Sequence, residues 1–322
     1  MENHKVTILL PEAFEELYKK NLRELFNDKY IMREIFFNKL YSKQQMIDIA
    51  ADEEALIITL ETIDRDVLEA YSNLKIIANY GVGYDNVDVQ AAKEKGIFVT
   101  IASGSNATSV AELSLGLMLS AARNIINVNN LTKAGKWSLF LGKELSHKTL
   151  GIIGLGKIGK ELVKKVTGFD MKILVYDVFR DEDFANKWNV EYVDIDRLAS
   201  ESDFISLHLP FCKKNYHFID YNFFYKMKKS AILINTARGK VVNENDLIKA
   251  LKKKEIAGAA LDVFENEPPS YHSRLFQLDN VVTTSHIGGS TLEAMIRIGT
   301  ITLKNIEKTF QGKVPTNNVY EV

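Results

Sequence analysis

The sequence contains one cysteine, Cys212, among its 322 residues, so it cannot form an internal disulfide. A single thiol favours a reducing compartment, and we expect a cytoplasmic protein. Lys and Arg (41) balance Asp and Glu (42), which leaves a net charge of −1. Without an excess of positive charge, neither nucleic acid nor an anionic membrane is an expected partner.

Long hydrophobic runs are also missing. The first run, Val6–Leu10, is stopped by Pro11 and is too short for the core of a signal peptide. The stretch 110–122 contains Glu112 and falls short of the roughly 20 apolar residues that cross a bilayer. We therefore expect no membrane span. The histidines have no zinc-like spacing with Cys212, so we expect no metal site either.

Short β-branched runs alternate with amphipathic segments, which is the pattern of an α/β fold with mainly parallel strands. The length predicts about two domains. Ordered helices should join them, because no flexible Pro-, Gly- or Ser-rich linker is present. We predict one such helix within 106–127 and another over 291–310, followed by a polar tail, 312–322, that returns to the first domain.

The candidate strands form two series. The first comprises Val6–Leu10, Ala55–Thr59, Lys75–Ala78 and Phe98–Val99. The second comprises Thr149–Ile153, Lys172–Tyr176, Phe204–Leu207, Ala231–Asn235, Gly258–Leu261 and Val281–Thr284. Six strands with helical spacers predict a doubly wound sheet.

A glycine motif, Gly154-Leu155-Gly156-Lys157-Ile158-Gly159, stands between the first strand of the second series and a helical pattern. This order is typical of a dinucleotide-binding turn, in which the second glycine lets a pyrophosphate approach the backbone. An acid, Asp177, ends the next strand. Its carboxylate can bind both ribose hydroxyls and would repel the 2′-phosphate of NADP, which favours NAD(H). Arg180 weakens that preference, and an ordinary turn with a solvated acid is the alternative at this point.

Three polar segments follow later strands. They are Asn-Thr-Ala-Arg-Gly at 235–239, Leu-Asp-Val-Phe-Glu-Asn-Glu-Pro at 261–268 and Ser-His-Ile-Gly-Gly-Ser at 285–290. Parallel strands end at one edge of a sheet, so Arg238, Glu267 and His286 should converge there. Arginine can bind a carboxylate bidentately, histidine can exchange a proton near neutral pH, and glutamate can stabilise an imidazolium. Taken singly, Arg238 is equally well explained as a surface charge, Glu267 as a turn acid and His286 as a loop histidine.

Together with Gly81–Asp88 and Ser109–Leu113, these motifs resemble the D-isomer-specific 2-hydroxyacid dehydrogenases over nearly the whole chain. The resemblance implies a Rossmann NAD-binding domain, 102–289, inserted into a flavodoxin-like substrate domain made of 1–101 and 290–322. It implies NAD-dependent hydride transfer between a small 2-oxo acid and its D-2-hydroxy acid. It also implies a homodimer built on the cofactor domains, with the helix in 106–127 and the segment through Trp137 contributing.

The resemblance assigns roles to individual residues. Arg238 would bind the substrate carboxylate and carbonyl, His286 would be the acid and base, and Glu267 would orient His286. The backbone N–H groups of Val82 and Gly83 would hold the substrate carboxylate. The implied cofactor contacts are Gly154, Gly156, Lys157, Ile158 and Gly159 at the pyrophosphate, Asp177 at the ribose, Leu209 by backbone or apolar contact, Thr236 beside the nicotinamide, Asp262 at its carboxamide, and Gly288 and Gly289 at the same end.

The identity of the acid is less constrained. Phosphoglycerate dehydrogenases of this family pair arginines with the phosphate, whereas Thr59 and Asn79 stand at those positions, with Glu61 nearby to repel a phosphate. The chain also ends before the regulatory domain that many of them carry. We therefore expect glyoxylate or hydroxypyruvate, then pyruvate or a branched 2-oxo acid, with Leu60 and Tyr80 shaping a small or apolar pocket. D-3-phosphoglycerate dehydrogenase is the alternative.

Two further interpretations differ in chemistry. An NAD(H)-sensing, corepressor-like binding protein would keep these motifs without turnover, although the short polar tail argues against it. Formate dehydrogenases pair their histidine with a glutamine, and Glu267 argues against that chemistry.

Overall fold

A computed structural model of the chain describes residues 4–27, 29–137 and 139–321. It contains two compact units, Met1–Asn106 with Gly289–Val322, and Ala107–Gly288. Each unit is built on a parallel sheet, of five strands in the first and seven in the second. The predicted α/β class with two doubly wound sheets is therefore confirmed.

The elements have the following bounds. The strands are β1 (Lys5–Pro11), β2 (Ile31–Phe37), β3 (Ala55–Ile58), β4 (Ile76–Asn79), β5 (Phe98–Thr100), β6 (Thr149–Ile153), β7 (Lys172–Tyr176), β8 (Val190–Tyr192), β9 (Phe204–Leu207), β10 (Ile232–Asn235), β11 (Gly258–Leu261) and β12 (Val281–Thr283). The α-helices are α1 (Glu15–Asn21), α2 (Arg23–Asn27), α3 (Lys43–Asp48), α4 (Arg65–Ala70), α5 (Val89–Glu94), α6 (Ala107–Arg123), α7 (Ile125–Lys133), α8 (Lys157–Val166), α9 (Glu182–Trp188), α10 (Ile195–Glu201), α11 (Tyr221–Lys226), α12 (Glu244–Lys252) and α13 (Leu292–Phe310).

In the first unit the strand order is β2-β1-β3-β4-β5, which is the flavodoxin-like order. Alternate residues of a strand point to opposite faces of the sheet. Accordingly, Leu9 and Leu56 pack in a core with α3, α4 and α5, whereas Ile8 and Ile57 pack in a second core with α1, α2 and α13. Burial on both faces explains why these strands are continuous apolar runs. The tail returns to this unit as predicted, through a bridge between Asn318 and Thr100.

In the second unit the order is β12-β11-β10-β9-β6-β7-β8. From β6 the chain builds outward through β7 and β8, and from β9 it builds outward in the opposite direction. The strand order therefore reverses between β6 and β9, and in open α/β sheets ligands bind outside the carboxyl ends of the strands at such a point. Helices α6, α8 and α9 cover one face of the sheet, and α10, α11 and α12 cover the other.

Several local expectations differ from the structure. Strands β2 and β8 were not predicted, and the helix expected within 106–127 ends at Arg123. Asn124 adopts a left-handed conformation, φ +50°, and α7 starts directly after it. Asparagine tolerates that conformation, so it can end one helix before the next begins. None of the described helices combines the length and apolar character needed to span a bilayer.

Candidate active site

The glycine turn lies between β6 and α8. Gly154 has φ +96°, and a Cβ at this position would lie 2.8 Å from the His208 carbonyl oxygen. A Cβ on Gly159 would lie 2.5 Å from the Gly154 oxygen, so the helix packs directly on the turn. Gly156 precedes α8 and faces open space. Open space at the second glycine, directly before a helix N-terminus, is the backbone arrangement that lets a dinucleotide pyrophosphate approach.

Asp177 follows β7 and is tied to the same turn. Its carboxylate oxygens accept hydrogen bonds from the backbone N–H groups of Leu155 (2.6 Å) and Phe179 (2.9 Å). The acid therefore stands beside the glycine motif, where the ribose of a bound dinucleotide is expected. The guanidinium carbon of Arg180 lies 5.3 Å from the centroid of the Tyr192 ring, so this cation stacks on an aromatic face.

The structure brings the predicted acid–base residues together. Arg238 follows β10, Glu267 lies in the loop after β11, and His286 follows β12. The Nδ1 atom of His286 lies 2.6 Å from the Oε2 atom of Glu267, and about a third of each side chain is exposed (36% and 30%). Burial by itself would raise the pKa of Glu267. The hydrogen bond and charge of His286, the hydrogen bond from the Phe264 N–H and the charge of Arg238 outweigh it and hold that pKa below its usual range.

A buried carboxylate, Asp262, organises the segment that carries His286. It accepts hydrogen bonds from the Thr284 hydroxyl (2.6 Å) and from the N–H groups of Ile287 (2.9 Å) and Gly288 (2.8 Å). Its carbonyl oxygen accepts the His286 N–H (2.8 Å). His286 has φ +55°, a conformation that a non-glycine residue adopts only where its surroundings impose it. Sequence reasoning placed Asp262 at the cofactor and missed this role.

Thr236 and Leu209 occupy the same edge of the second unit. The Thr236 hydroxyl is buried and lies 2.8 Å from the Ser114 hydroxyl of α6, which also donates to the Val110 carbonyl (2.8 Å). Sequence reasoning did not select Ser114, although it directly follows the Ser109–Leu113 motif. The Leu209 Cδ2 atom lies 3.1 Å from the position that a Cβ on Gly154 would occupy, so Leu209 packs on the glycine turn.

Val82, Gly83 and Gly289 belong to the first unit. Val82 and Gly83 lie in the loop after β4, where the Asn79 side chain donates to the Gly83 carbonyl. Asn86 of the same loop donates to the Glu61 carbonyl (2.8 Å). The loop that carries the expected carboxylate-binding N–H groups is thus held by side-chain amides.

Two expectations about the substrate pocket are wrong. The Glu61 side chain is 1% exposed and accepts the Thr59 N–H (2.8 Å), and burial raises its pKa, so it does not face outward to repel a phosphate. Tyr80 is 5% exposed, and its hydroxyl donates to the Met295 carbonyl of α13 (2.7 Å). It packs in the core of the first unit instead of shaping a pocket, whereas Leu60 is 52% exposed.

The family model for the "D-isomer specific 2-hydroxyacid dehydrogenase, NAD binding domain" matches residues 115–288. The chain is 46% identical to a hydroxypyruvate reductase of Thermotoga maritima, over 84% of this chain and 88% of the relative. It is 43% identical to a glyoxylate reductase of Thermococcus litoralis, over 85% and 86%. It is 44% identical to a D-3-phosphoglycerate dehydrogenase of Methanocaldococcus jannaschii, over 86% of this chain and 54% of the relative.

Solved structures of the same kind are similar over nearly the whole chain. A D-lactate dehydrogenase of Aquifex aeolicus, complexed with NAD and lactic acid, is 29% identical, with a TM-score of 0.80, over 95% of this chain and 96% of that one. The chain therefore belongs to the D-isomer-specific 2-hydroxyacid dehydrogenase family, NAD-dependent oxidoreductases that act on CH–OH donors.

Proposed function

We propose that this protein reduces a small, unphosphorylated 2-oxo acid, glyoxylate or hydroxypyruvate, to its D-2-hydroxy acid with NADH. The observation that carries the proposal is the 2.6 Å contact between His286 and Glu267, at the sheet edge that also carries Arg238. The relatives named glyoxylate reductase and hydroxypyruvate reductase support the choice of acid.

In this mechanism His286 acts through Nε2, because Glu267 holds Nδ1 and so fixes which ring nitrogen faces the substrate. The protonated imidazole donates its proton to the carbonyl oxygen as that oxygen gains negative charge. Arg238 binds the substrate carboxylate and stabilises the same oxygen. The glycine turn, Gly154–Gly159, would hold NADH, whose chemistry would be to supply the hydride that the carbonyl carbon accepts. In the reverse direction, neutral His286 accepts the proton of the alcohol.

The two domains would divide the work. We assign residues 102–289 to cofactor binding and residues 1–101 with 290–322 to substrate binding. In the substrate-binding domain, the N–H groups of Val82 and Gly83 would hold the substrate carboxylate. The Asp177 carboxylate beside the turn supports NAD(H) over NADP(H), since it would repel a 2′-phosphate. Contacts of Gly288, Gly289 and Asp262 with the nicotinamide end are part of the same proposal.

The side chains at the two expected phosphate positions support an unphosphorylated substrate. The Thr59 hydroxyl lies 3.3–3.4 Å from the Glu61 carboxylate, and the Asn79 amide is bonded within its own loop. Neither side chain offers the bidentate guanidinium that recognises a phosphate.

We further propose that two copies of the chain pair through their cofactor domains. The segment around residue 140 carries large exposed apolar side chains, Trp137 (90%), Leu139 (99%) and Leu141 (96%). Exposed apolar residues grouped in this way mark interaction sites.

A cytoplasmic location is proposed from the single cysteine.

The test follows NADH absorbance with glyoxylate, hydroxypyruvate, 3-phosphohydroxypyruvate, pyruvate and 2-oxoisocaproate, with NADPH as the cofactor control. We expect the highest kcat/KM for glyoxylate or hydroxypyruvate, and a loss of at least about 100-fold in His286→Ala, the order expected when a general acid is removed. A kcat/KM for 3-phosphohydroxypyruvate far above that for hydroxypyruvate would instead establish the phosphoglycerate dehydrogenase alternative. NADH binding without turnover of any acid would refute the proposal.

A further inference from the structure

The loop that carries Glu267 is bonded to the start of α12 by two glutamates. The Glu265 N–H donates to the Oε1 atom of Glu244 (2.6 Å), and the Glu244 N–H donates to the Oε1 atom of Glu265 (3.3 Å). Each glutamate thus accepts the backbone N–H of the other, and we call this pair the glutamate clasp. It joins two segments that are 21 residues apart in the chain.

The glutamate clasp lies next to the acid that orients His286. Glu265 stands two residues before Glu267, and the Phe264 N–H donates to the Oε1 atom of Glu267 (3.0 Å). The same stretch packs on Gly239, where a Cβ would lie 1.8 Å from the Phe264 carbonyl carbon. The backbone at 264–265 is therefore fixed on one side by Gly239, the residue after Arg238, and on the other by Glu244.

Three carboxylates, those of Glu244, Glu265 and Glu267, lie close together at the clasp. Burial raises the pKa of the Glu244 carboxyl; the Glu265 N–H bond opposes that rise, and the negative charges of Glu265 and Glu267 add to it. Two histidines face the neighbouring carboxylates. The Nε2 atom of His217 lies 2.5 Å from the Oε1 atom of Glu265, and His286 faces Glu267. The three carboxylates are thus surrounded by backbone N–H donors and by two histidine rings.

We propose that Glu244 is a positioning residue for the reaction: through Glu265 it fixes the backbone from which Glu267 reaches His286. The inference deepens the proposed function and rests on its assignment of Glu267 and His286. Glu244 touches neither substrate nor cofactor in this scheme. Its contribution is the accuracy with which Glu267 meets the imidazole, and misplacement by a fraction of an ångström at such a contact is costly.

The test compares three changes at Glu244. Glu244→Gln keeps an oxygen that accepts the Glu265 N–H and removes the charge. Glu244→Ala removes the acceptor, and Glu244→Asp keeps the charge but withdraws the oxygen by one methylene. Glu182→Ala is the matched control, because Glu182 is likewise the first residue of a helix, α9, that follows an Asp or Asn cap, yet it is exposed.

The kinetic readout is the pH profile of kcat/KM for 2-oxo acid reduction, with the KM for NADH. For Glu244→Ala and Glu244→Asp we expect kcat to fall about tenfold while the KM for NADH stays unchanged, as for loss of a transition-state interaction. We also expect the alkaline limb of the pH profile to move to lower pH in both variants. Glu244→Gln and Glu182→Ala should match the wild type within about twofold. Adding Glu267→Gln to Glu244→Ala should move the alkaline limb no further than Glu267→Gln alone, because both changes act on one contact.

Hydrogen exchange of the peptide covering 262–268 provides a readout that needs no turnover. Exchange should be faster in Glu244→Ala and Glu244→Asp than in the wild type, Glu244→Gln or Glu182→Ala. An unchanged alkaline limb in both the Ala and Asp variants, or a further shift in the double variant, would refute the positioning role. If the wild type turns over no acid, the proposed function fails, and unchanged exchange at 262–268 would separately refute the glutamate clasp.

Discussion

At the scale of single residues, Asp262 shows how one buried carboxylate can hold a reactive side chain in place. Three donors from 284–288 converge on its two oxygens, and its carbonyl oxygen accepts a fourth bond, from His286 itself. These bonds offset the cost of the left-handed conformation at His286. The orientation of the imidazole is therefore set twice, by its backbone through Asp262 and by its ring through Glu267.

His208, behind the glycine turn, makes a pH-dependent contribution to stability. Its Nε2 atom lies 2.9 Å from the Ser206 hydroxyl, and burial lowers its pKa to about 3. Between about pH 3 and the ordinary value of about 6.5, the unfolded chain binds a proton that the folded chain does not. The contribution of neutral, buried His208 to the free energy of unfolding is therefore fully present above about pH 6.5. Below that pH it falls by up to about 1.4 kcal/mol per pH unit.

We therefore expect His208→Gln to flatten the acid side of the stability curve. Between pH 7 and pH 5, its free energy of unfolding in urea should fall by about 2 kcal/mol less than that of the wild type. His272→Gln, at an exposed histidine, is the control and should keep the wild-type dependence. A wild-type slope in His208→Gln would show that His208 is not the source of the effect.

At the scale of elements, a contact between two hydroxyl groups ties α6 to the loop after β10. Ser114 lies within α6 and Thr236 directly follows β10, and both side chains are buried. Because the Ser114 hydroxyl also donates to the Val110 carbonyl, Thr236 is the group left to donate to Ser114. The contact thus fixes the rotamer of the residue that we place beside the nicotinamide.

We expect Ser114→Ala to lower the free energy of unfolding by about 1–3 kcal/mol, since it leaves the buried Thr236 hydroxyl without this acceptor. The KM for NADH should rise severalfold in the same variant. In a double-mutant cycle with Thr236→Val, the two effects should be non-additive by about 1 kcal/mol. Ser200→Ala is the control, because Ser200 also donates to a carbonyl one turn back but is exposed on α10. Additive effects of the two changes would show that the contact between Ser114 and Thr236 does not contribute to the free energy of unfolding.

The elements that the sequence predicts best are the central strands. Four strands of the second sheet, β6, β7, β9 and β11, have the predicted bounds, because strands buried on both faces are short, uninterrupted apolar runs. Strand β2 lies at an edge and is only partly buried, so polar residues such as Arg33 and Glu34 interrupt its pattern. Strand β8 is an edge strand of three residues. Both escape prediction because charged residues, such as Glu191 in β8, interrupt the apolar run, whereas no charged residue interrupts the edge strands β5 and β12, which each begin with two consecutive apolar residues.

The residues of the site also fall into two groups, those that the sequence predicts and those that it does not. The glycine turn and Asp177 are predictable because the motif depends on local backbone geometry, and the three strand-end segments are predictable because parallel strands share an edge. The supporting contacts are not local. Ser114 and Thr236 are 122 positions apart, and Glu244 and Glu265 are 21 apart on different elements. No periodicity relates such pairs, so only the folded chain reveals them.

At the scale of the whole molecule, the chain leaves the first unit at Asn106 and returns to it at Gly289. Helix α13 then completes a core of that unit, with Met295 and Ile298 packed beside Ile8 and Ile57. The first unit therefore depends on residues from both ends of the sequence, and the second unit interrupts it as an insertion.

The exposed segment that contains Trp137, Leu139 and Leu141 leads to the last prediction. We expect the wild type to sediment at twice the 36.5 kDa of one chain. Leu139→Lys combined with Leu141→Lys should sediment near 36.5 kDa, because two charges would have to be buried in the apolar interface. These side chains are 99% and 96% exposed and stabilise nothing within one copy, so the free energy of unfolding of the monomer should change by less than about 0.5 kcal/mol.

Tyr225→Lys, at a side chain on α11 that is 70% exposed, adds a charge elsewhere on the same unit and should leave the mass at that of a dimer. Sedimentation equilibrium at several concentrations makes the comparison quantitative, since a specific interface buries about 800 Å² per partner and weakens sharply when its apolar centre is charged. A wild type that sediments as a single chain would refute the pairing. A double variant that keeps the dimer mass would place the interface away from this segment, on a surface that the two introduced lysine side chains do not reach.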